Sequence, residues 1–319
     1  MDICSIGEMV IDLTPIGNSA NGNTIYEQNA GGAPANVACG AAKLNAETAI
    51  ISMLSRDNFG KVLYETLTKH GVSTDGVRFC DTNTGLAVIS LSESGDREFT
   101  FYRNPCADQM LSKEIVNLEL IENCKILHFS SVSLTHSISR EATLFALQHA
   151  KRNKKLISFD INYRELLSED IVTYQKNIRD ILPMVDILKV SEEEAKIFSG
   201  LDSIEKAATY YRSLNIPMVV ITLGARGCYC LCGKYSGYVP TYDLKAVDTT
   251  GAGDNFVAAL LAKLISLGRQ INELEYEDIQ YLLEYANAAG TLCASRYGSI
   301  SVMASEDEII NCMKNAKKH

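Results

Sequence analysis

The chain has 319 residues, 46% of them hydrophobic and 22% charged, with a formal net charge of −9 at pH 7. This composition excludes a disordered chain, and the negative charge argues against a nucleic-acid or anionic-membrane surface. No stretch approaches the roughly 18 apolar residues of a membrane span. Together with ten scattered cysteines and no basic leader after Met1, this predicts a cytoplasmic protein with reduced thiols.

Short apolar runs alternate with helical patterns along most of the chain. The predicted strands are Ile3–Ile6, Thr48–Met53, Ile126–Phe129, Leu156–Phe159, Ile187–Val190 and Met218–Leu223. The predicted helices between them are Ser139–Lys151, Ser191–Ser199 and Ser203–Leu214. Such alternation favours an α/β fold with a mostly parallel central sheet and helices on both faces. Because no repeat or linker divides the sequence, we expect a single domain over residues 1–319.

Two stretches break this alternation. Residues 13–28 and 84–102 contain short strand patterns with no helix between them. Strands joined without a helix pair antiparallel, so we expect a small second sheet that stands off the main one. A pair of ordinary edge hairpins is the alternative.

Three cysteines occur at alternate positions, Cys228, Cys230 and Cys232. On a strand they would share one face, and no histidine or acid lies nearby to complete a zinc site. We therefore expect this face to be buried in the core, since free cysteine is a small and readily buried residue.

A glycine turn precedes an amphipathic helix near the carboxyl end of the chain. The sequence Gly251-Ala252-Gly253-Asp254 leads into apolar residues at helical spacing, which end at Gly268. Unpaired N–H groups at such a helix start bind anions. An acid beside a phosphate site makes sense if it takes a proton from a hydroxyl that attacks the phosphate. The turn therefore indicates a small-molecule kinase.

Two other glycine motifs do not fit. A dinucleotide fingerprint needs a glycine at the position of Phe256, and the segment from Gly227 to Lys234 is one residue too long for a P-loop. The structural alternative is that Asp254 only decorates the first turn of a helix, where acids are favoured.

A second motif, Gly31-Gly32-Ala33-Pro34-Ala35-Asn36, occurs together with the Asp254 segment. The pair resembles the two signatures of the ribokinase-like (PfkB) sugar kinases. The resemblance extends over nearly the whole chain and is strongest to fructokinases. The further matching blocks are Gly7-Glu8 with Asp12, residues 97–108, 158–164, 189–194 and 222–227. The resemblance implies a three-layer α/β/α sandwich in which the small β sheet forms a lid over the sugar.

The resemblance also implies a catalytic centre. Asp254 would be the general base, and Gly251, Ala252 and Gly253 would form the anion hole. Polar blocks follow the predicted strands at their carboxyl ends, where open parallel sheets bind ligands. By the same resemblance Asn162 and Arg164 would face the phosphates, and Glu194 would organise Mg²⁺ through water. An ion pair of Arg164 with Glu165 or Glu169, and a simple Ser191-x-x-Glu194 capping box, are the structural alternatives.

The remaining implied residues fall into three groups. Sugar hydroxyls would contact Asp12, Gly31, Gly32, Asn36 and Arg103. A turn before a helix through Val37 to Lys43 also explains the glycines. The nucleotide would contact Lys189, Thr222, Gly224, Gly227 and Asn287, although a solvated surface position is the simpler reading of Lys189. A monovalent cation such as K⁺ would lie at Asp248, Thr250, Cys293, Arg296 and Gly298. Here Gly298-Ser-Ile-Ser301 replaces the family's Gly-Ala-Ile-Pro, which weakens the K⁺ expectation.

The resemblance implies an ATP-dependent fructokinase that uses ATP and Mg²⁺. The segment Phe101–Asp108 favours fructose over the alternatives, a 2-keto-3-deoxygluconate kinase or another ribokinase-like sugar kinase. A non-catalytic sugar-binding relative would have lost Asp254 or the glycine turn. We expect a sugar and ATP as partners, with no nucleic acid or membrane, and a homodimer remains open.

Overall fold

The computed structural model describes residues 1–91, 97–168, 170–298 and 300–319, with the backbone alone at residue 91 and at residues 97–99. The strands within these ranges are β1 (Ile3–Ile6), β2 (Val10–Asn18), β3 (Thr24–Gly31), β4 (Thr48–Ser55), β5 (Ser73–Cys80), β6 (Gly85–Leu91), β7 (Arg97–Tyr102), β8 (Ile126–Ser130), β9 (Leu156–Asp160), β10 (Ile187–Ser191), β11 (Met218–Thr222), β12 (Cys228–Cys232) and β13 (Tyr235–Val239).

The helices in the same ranges alternate with most of these strands. They are α1 (Ala33–Lys43), α2 (Asn58–Lys69), α3 (Leu118–Asn123), α4 (Ser137–Arg152), α5 (Ile171–Ile181), α6 (Glu192–Ser199), α7 (Ile204–Ser213), α8 (Ala252–Leu267), α9 (Tyr276–Ala294) and α10 (Glu306–Asn315). The predicted strands of the main sheet and the three predicted helices are all present, with ends that differ by at most two residues.

The large sheet has the strand order β13-β12-β11-β10-β9-β8-β1-β4-β5. The seven neighbouring strands β11, β10, β9, β8, β1, β4 and β5 pair parallel. Strands β12 and β13 extend the sheet in antiparallel fashion. Alternate residues of β1 enter different cores: Cys4 and Ile6 pack with α4 to α7, whereas Ile3 packs with α1, α8 and α9. The helices therefore cover both faces, which confirms the three-layer α/β/α class.

A small sheet of order β3-β2-β6-β7 stands beside the large one. As predicted, β2–β3 and β6–β7 pair antiparallel, but β2 and β6 pair parallel. The purely antiparallel expectation was wrong at this junction because β3, α1, β4, α2 and β5 separate β2 from β6 and supply a crossover. Residues 92–96 of the predicted segment 84–102 lie outside the described residues.

The cysteine prediction is confirmed. Cys228, Cys230 and Cys232 are fully buried in the core that α8 and α9 share with the sheet, and all ten cysteines are free thiols. In the part of the chain that the structure describes, no helix combines the length and apolar character needed to cross a membrane.

Candidate active site

A cavity of about 1000 Å³ opens between the carboxyl-end edge of the large sheet and the small sheet. The small sheet contributes Asp12 from β2 and Thr100 and Phe101 from β7. The large sheet and its loops contribute Asp160, Lys189 and Ser191. The cavity brings together twelve of the predicted site residues: Asp12, Gly32, Asn36, Arg103, Asn162, Arg164, Lys189, Glu194, Thr250, Gly251, Gly253 and Asp254.

Asp254 lies in the first turn of α8 and is only 8% exposed. Its Oδ2 accepts a hydrogen bond from the Asn36 side chain on α1, with 2.6 Å between the heavy atoms. Burial raises the pKa of Asp254, while the hydrogen bond from Asn36 and the positive charges of Lys189 and Arg164 oppose that rise. A buried carboxyl with a raised pKa, fixed by one donor, is a stronger base than an ordinary aspartate.

The turn before α8 has the geometry of a helix start. Gly251 is the N-cap residue with φ of 72°, a left-handed conformation that favours glycine. Its carbonyl oxygen accepts from both the backbone N–H and the side-chain amide of Asn255, at 2.8 and 2.9 Å. The expectation of three free N–H groups was wrong for Ala252, whose N–H donates to Thr249 O at 3.2 Å. The short turn closes on itself at that point, which leaves Gly251 and Gly253 as candidate anion donors.

A buried ion pair lies directly against this turn. Both oxygens of Asp160, at the end of β9, contact the Lys189 Nζ on β10, at 2.9 and 3.1 Å. A Cβ atom on Gly253 would lie 2.9 Å from that same Nζ. The interpretation of Lys189 as a solvated surface residue is therefore wrong. The residue is 8% exposed, and its ammonium faces the start of α8. The Asp160 carboxylate raises the pKa of Lys189 against the opposing effect of burial and keeps the ammonium charged.

Glu194 has two hydrogen-bonded oxygens at the start of α6. The predicted capping box with Ser191 is confirmed, since Glu194 Oε2 accepts from the Ser191 N–H at 2.7 Å. Glu194 Oε1 also accepts from the Tyr163 N–H at 2.6 Å, which ties the loop after β9 to α6. In that loop Asn162 has a positive φ of 42°, a conformation that asparagine tolerates better than most residues.

Arg164 is exposed and lines the cavity, and its charge partly opposes the rise in pKa that burial causes at Asp12 and Asp254. Its Nη1 donates to the Tyr163 carbonyl at 3.1 Å. Among the described residues it forms no ion pair with Glu165, and Glu169 lies outside them.

The opposite end of the cavity combines β2, α1 and β7. A Cβ atom on Gly31 would lie 2.4 Å from Asp12 Oδ2, so glycine there leaves room for the carboxylate. Gly32 has φ of 110° and passes so close to the Glu8 carbonyl that a side chain would collide with it. Burial raises the pKa of Asp12 to about 7, the negative charge of Asp254 adds to the rise, and Arg164 opposes it.

Arg103 is buried and forms an ion pair with Asp108, which also accepts a hydrogen bond from the Cys106 thiol. This pairing occupies part of the Arg103 guanidinium and partly neutralises its charge, which leaves fewer donors for a substrate. Sequence reasoning placed neither Glu8 nor Asp160 among the site residues, although both line the cavity. The position of Asp160 at a strand end was an available signal for that residue.

The predicted nucleotide residues other than Lys189 lie outside the cavity lining. Thr222 pairs with Ser191 across β10 and β11, and Gly224 and Gly227 follow in the next turn, so these three continue the same edge of the sheet. Asn287 on α9 is buried and donates to the carbonyls of Val239 and Pro240 at 3.1 and 3.3 Å. These contacts make Asn287 a tie between α9 and the end of β13.

Four of the five predicted cation residues cluster beside the α8 turn. The Asp248 oxygens accept from the N–H groups of Thr250 and Gly298, at 2.8 and 3.1 Å, and the Cys293 thiol donates to Thr250 O at 3.5 Å. The fifth, Arg296, points instead to Glu308, 2.5 Å away. Among the described residues, no group of three or more His, Cys, Asp or Glu is arranged to hold a metal ion.

The fold and this cavity agree with the family that the sequence resembles. The sequence profile of the pfkB family carbohydrate kinases matches residues 1–306. The chain therefore belongs to the pfkB family of carbohydrate kinases.

Within the family, similarity to fructokinases is pronounced. The chain is 38% identical to probable fructokinase-5 of Arabidopsis thaliana over 323 residues, which cover 99% of this chain and 98% of that protein. The fructokinase of Xylella fastidiosa, solved with bound ATP, superposes with a TM-score of 0.91 at 27% identity, with 98% of each chain covered. The fructokinase of Vibrio cholerae O395, solved with fructose, ADP and calcium, superposes with a TM-score of 0.88 at 30% identity, covering 98% of this chain and 99% of that one.

Proposed function

We propose that this protein phosphorylates D-fructose with ATP to give fructose 6-phosphate and ADP. The observation that carries the proposal is the meeting of Asp254, the Gly253 turn and the Lys189 ammonium in one cavity. These groups are a base, backbone donors and a cation, the parts that phosphoryl transfer to an alcohol requires. The likeness to fructokinases, one of them solved with fructose and ADP, supports fructose as the acceptor.

In the proposed reaction the 6-hydroxyl oxygen of fructose attacks the γ-phosphorus of ATP. The hydroxyl proton passes to Asp254, the new O6–P bond forms, and the bond between the γ-phosphorus and the bridging oxygen breaks to release ADP. Asn36 holds Asp254 through one oxygen and leaves the other for the proton. The N–H groups of Gly251 and Gly253 and the Lys189 ammonium stabilise charge on the transferred group, and Arg164 offers two parallel donors at the open side.

Glu194 suits a magnesium ion held through water. Each of its oxygens accepts one backbone N–H, and a carboxylate oxygen has capacity for a second partner. When bound, Mg²⁺ would neutralise phosphate charge. Glu194 itself fixes the loop that carries Asn162 and Arg164, and this positioning does not depend on the metal.

The cytoplasmic location and the K⁺ site at Asp248 stay predictions.

The charges in the cavity favour a neutral sugar over a sugar acid. Asp12 lies at the end where the sugar would bind, and Arg103 is already paired with Asp108. Above about pH 7, where Asp12 is ionised, a carboxylate substrate would meet its negative charge, which the exposed Arg164 partly offsets. The main alternative, a 2-keto-3-deoxygluconate kinase, is therefore disfavoured by the same residues.

An ADP-release assay over a panel of sugars and sugar acids tests the proposal. We expect kcat/KM for fructose to exceed that for 2-keto-3-deoxygluconate by at least about tenfold, or ~1.4 kcal/mol. Faster phosphorylation of the keto-acid would reassign the substrate and leave Asp254 as base. No ADP release with any acceptor would overturn the kinase proposal itself.

A further inference from the structure

Glu8 is a buried carboxylate in the Gly7-Glu8 block, and neither the family resemblance nor the proposed reaction gives it a role. It lies in the loop between β1 and β2, is 4% exposed and lines the cavity. Its Oε1 accepts from the Ala33 N–H at 3.0 Å, and the Ser130 hydroxyl at the end of β8 contacts both oxygens, at 3.1 and 3.3 Å. Glu8 therefore joins the edge of the large sheet to the first residue of α1.

The start of α1 lacks the features that normally stabilise a helix N-terminus. Its N-cap is Gly32, which has no side chain, and its first turn contains no acid. Pro34 follows at the second position and has no N–H to donate. The backbone leaves no space for a larger residue at position 32, because a Cβ would lie 2.4 Å from Glu8 O. Glu8 thus supplies from outside the helix the carboxylate that an N-cap residue would otherwise provide.

The contact of Glu8 with the start of α1 also affects the proposed base, because α1 carries the residue that is hydrogen-bonded to it. Asn36, one turn into the helix, donates to Asp254. Further along, α1 and α8 pack so closely that a Cβ on Gly40 would lie 2.8 Å from the Cβ of Ala258. A shift at the start of α1 would therefore displace Gly32 and Asn36 together, relative to Asp254 on α8.

The same carboxylate faces the small sheet. Arg103, which follows β7, attracts Glu8 electrostatically, and Asp108, the ion-pair partner of Arg103, repels it. Glu8 is consequently in the electrostatic field of the small sheet while it is hydrogen-bonded to the large sheet and to α1.

We infer that Glu8 is a positioning residue for the binding of the sugar acceptor. It fixes the start of α1, and with it Gly32 and Asn36, and its charge attracts Arg103, which follows β7 of the small sheet. The inference rests on the proposed function, since it concerns how the sugar end of that site is assembled. It assigns to Glu8 an effect on the acceptor alone. The nucleotide side is built by β9, β10 and α8, whereas the side-chain hydrogen bonds of Glu8 to other described residues go to Ala33 and Ser130.

The test is a comparison of Glu8→Ala and Glu8→Gln by steady-state kinetics with fructose and ATP varied separately. Glu8→Ala should raise the fructose KM about tenfold and lower kcat, while the ATP KM stays within twofold. Glu8→Gln keeps an oxygen that can accept from the Ala33 N–H, so it should restore most of the fructose affinity. A role in folding alone would lower the melting temperature and leave both KM values unchanged.

Asp57 offers a matched control. It caps α2 from outside the cavity, accepting from the Gly60 N–H at 2.7 Å and from the Thr84 N–H at 2.8 Å. Asp57→Ala should lower the melting temperature as Glu8→Ala does, with unchanged fructose KM. Equal changes in the two KM values of Glu8→Ala, or a normal fructose KM, would overturn the inference.

Two outcomes separate this inference from the function on which it rests. A wild-type enzyme that does not phosphorylate fructose refutes the proposed function, whatever Glu8 does. An active wild type with an unaffected Glu8→Ala variant refutes only the role of Glu8. If Glu8→Ala does not fold, the variants Glu8→Gln and Ser130→Ala test the inference in its place. Each should raise the fructose KM at least twofold. An unchanged fructose KM in both variants rejects the inference.

Discussion

The two ends of the cavity are built in different ways. The α8 end, defined by Asp160, Lys189, Glu194, Gly253 and Asp254, has charges that pair with one another or cap helices of the large sheet. The α1 end, defined by Glu8, Asp12, Gly32, Asn36 and Arg103, collects residues from the edge of the large sheet, the start of α1 and the small sheet. One end is a compact part of the main fold, and the other is assembled across the gap between two sheets.

This difference affects how the charges behave. At the α8 end burial also raises the pKa of the Asp160 carboxyl, but the Lys189 ammonium lies less than 3 Å away and opposes that rise. At the α1 end burial raises the pKa of Glu8 and of the partly exposed Asp12 to about 7, against the opposing charges of Arg103 and Arg164. We therefore expect changes at the α8 end to affect catalytic rate and folding, and changes at the α1 end to affect substrate choice and pH dependence.

The largest effect should follow Asp254→Asn. The substituted amide oxygen can still accept from Asn36, but it cannot take the proton of the sugar hydroxyl. We expect kcat to fall by about two to four orders of magnitude, the usual contribution of a positioned general base. Single-turnover phosphorylation measures the loss, and equilibrium binding of fructose and ATP should stay near wild type.

Asp307 in the first turn of α10 serves as the control for a helix-terminus acid. Asp307→Asn should cost a few tenths of a kcal/mol in stability and nothing in turnover. Wild-type turnover in Asp254→Asn would reduce Asp254 to the same structural role.

The next effect concerns the buried ion pair. Lys189→Met leaves the Asp160 carboxylate buried without its partner, and removal of one partner from such a pair costs about 3 kcal/mol or more. Chemical denaturation should therefore show a large loss in the free energy of unfolding, together with a loss of kcat. The ion pair of Asp2 with Lys125, whose side chain is 64% exposed, is the control, since Lys125→Met should cost less than about 1 kcal/mol.

A double variant separates folding from catalysis at this position. Lys189→Met combined with Asp160→Asn removes both charges and should recover much of the stability. If the double variant also recovered kcat, the Lys189 ammonium would have no part in the transfer of the phosphoryl group.

At both ends of the cavity the sequence predicted local patterns better than contacts between distant residues, for a physical reason. The glycine turn, Asp254 and the Ser191–Glu194 capping box are local patterns, and each folded as its spacing indicates. The pairing of Lys189 with Asp160 and the contact of Glu8 with Ala33 join residues 29 and 25 positions apart. Such contacts depend on strand order, and the parallel pairing of β2 with β6 likewise depends on the path of the chain between them.

A smaller effect is expected at Glu194, whose oxygens each accept a backbone N–H. Glu194→Gln leaves only one acceptor for the N–H groups of Ser191 and Tyr163, so some stability should be lost as well as charge. We expect the Mg²⁺ concentration for half-maximal rate to rise by about fivefold to tenfold, with a stability loss of about 1–2 kcal/mol. An unchanged Mg²⁺ titration alongside the stability loss would assign Glu194 to capping alone.

The smallest effect concerns the pH dependence of folding at Asp12. Its pKa is about 7 in the folded protein and near 3.8, the ordinary value for aspartate, in the unfolded chain. Between these values the unfolded chain has lost a proton that the folded chain still holds. The stability that Asp12 contributes is therefore complete below pH 3.8 and is lost as the pH rises through 7.

Asp12→Asn does not titrate, so its free energy of unfolding relative to wild type should rise between pH 5 and pH 8. Because the Asp12 side chain is partly exposed, we expect a rise of about 1 kcal/mol rather than the full shift. Asp81→Asn, at a site that is 92% exposed, should show no such trend. A difference that stays constant or falls over this range would mean that Asp12 is ionised throughout, and the contrast between the two ends of the cavity would then rest on geometry alone.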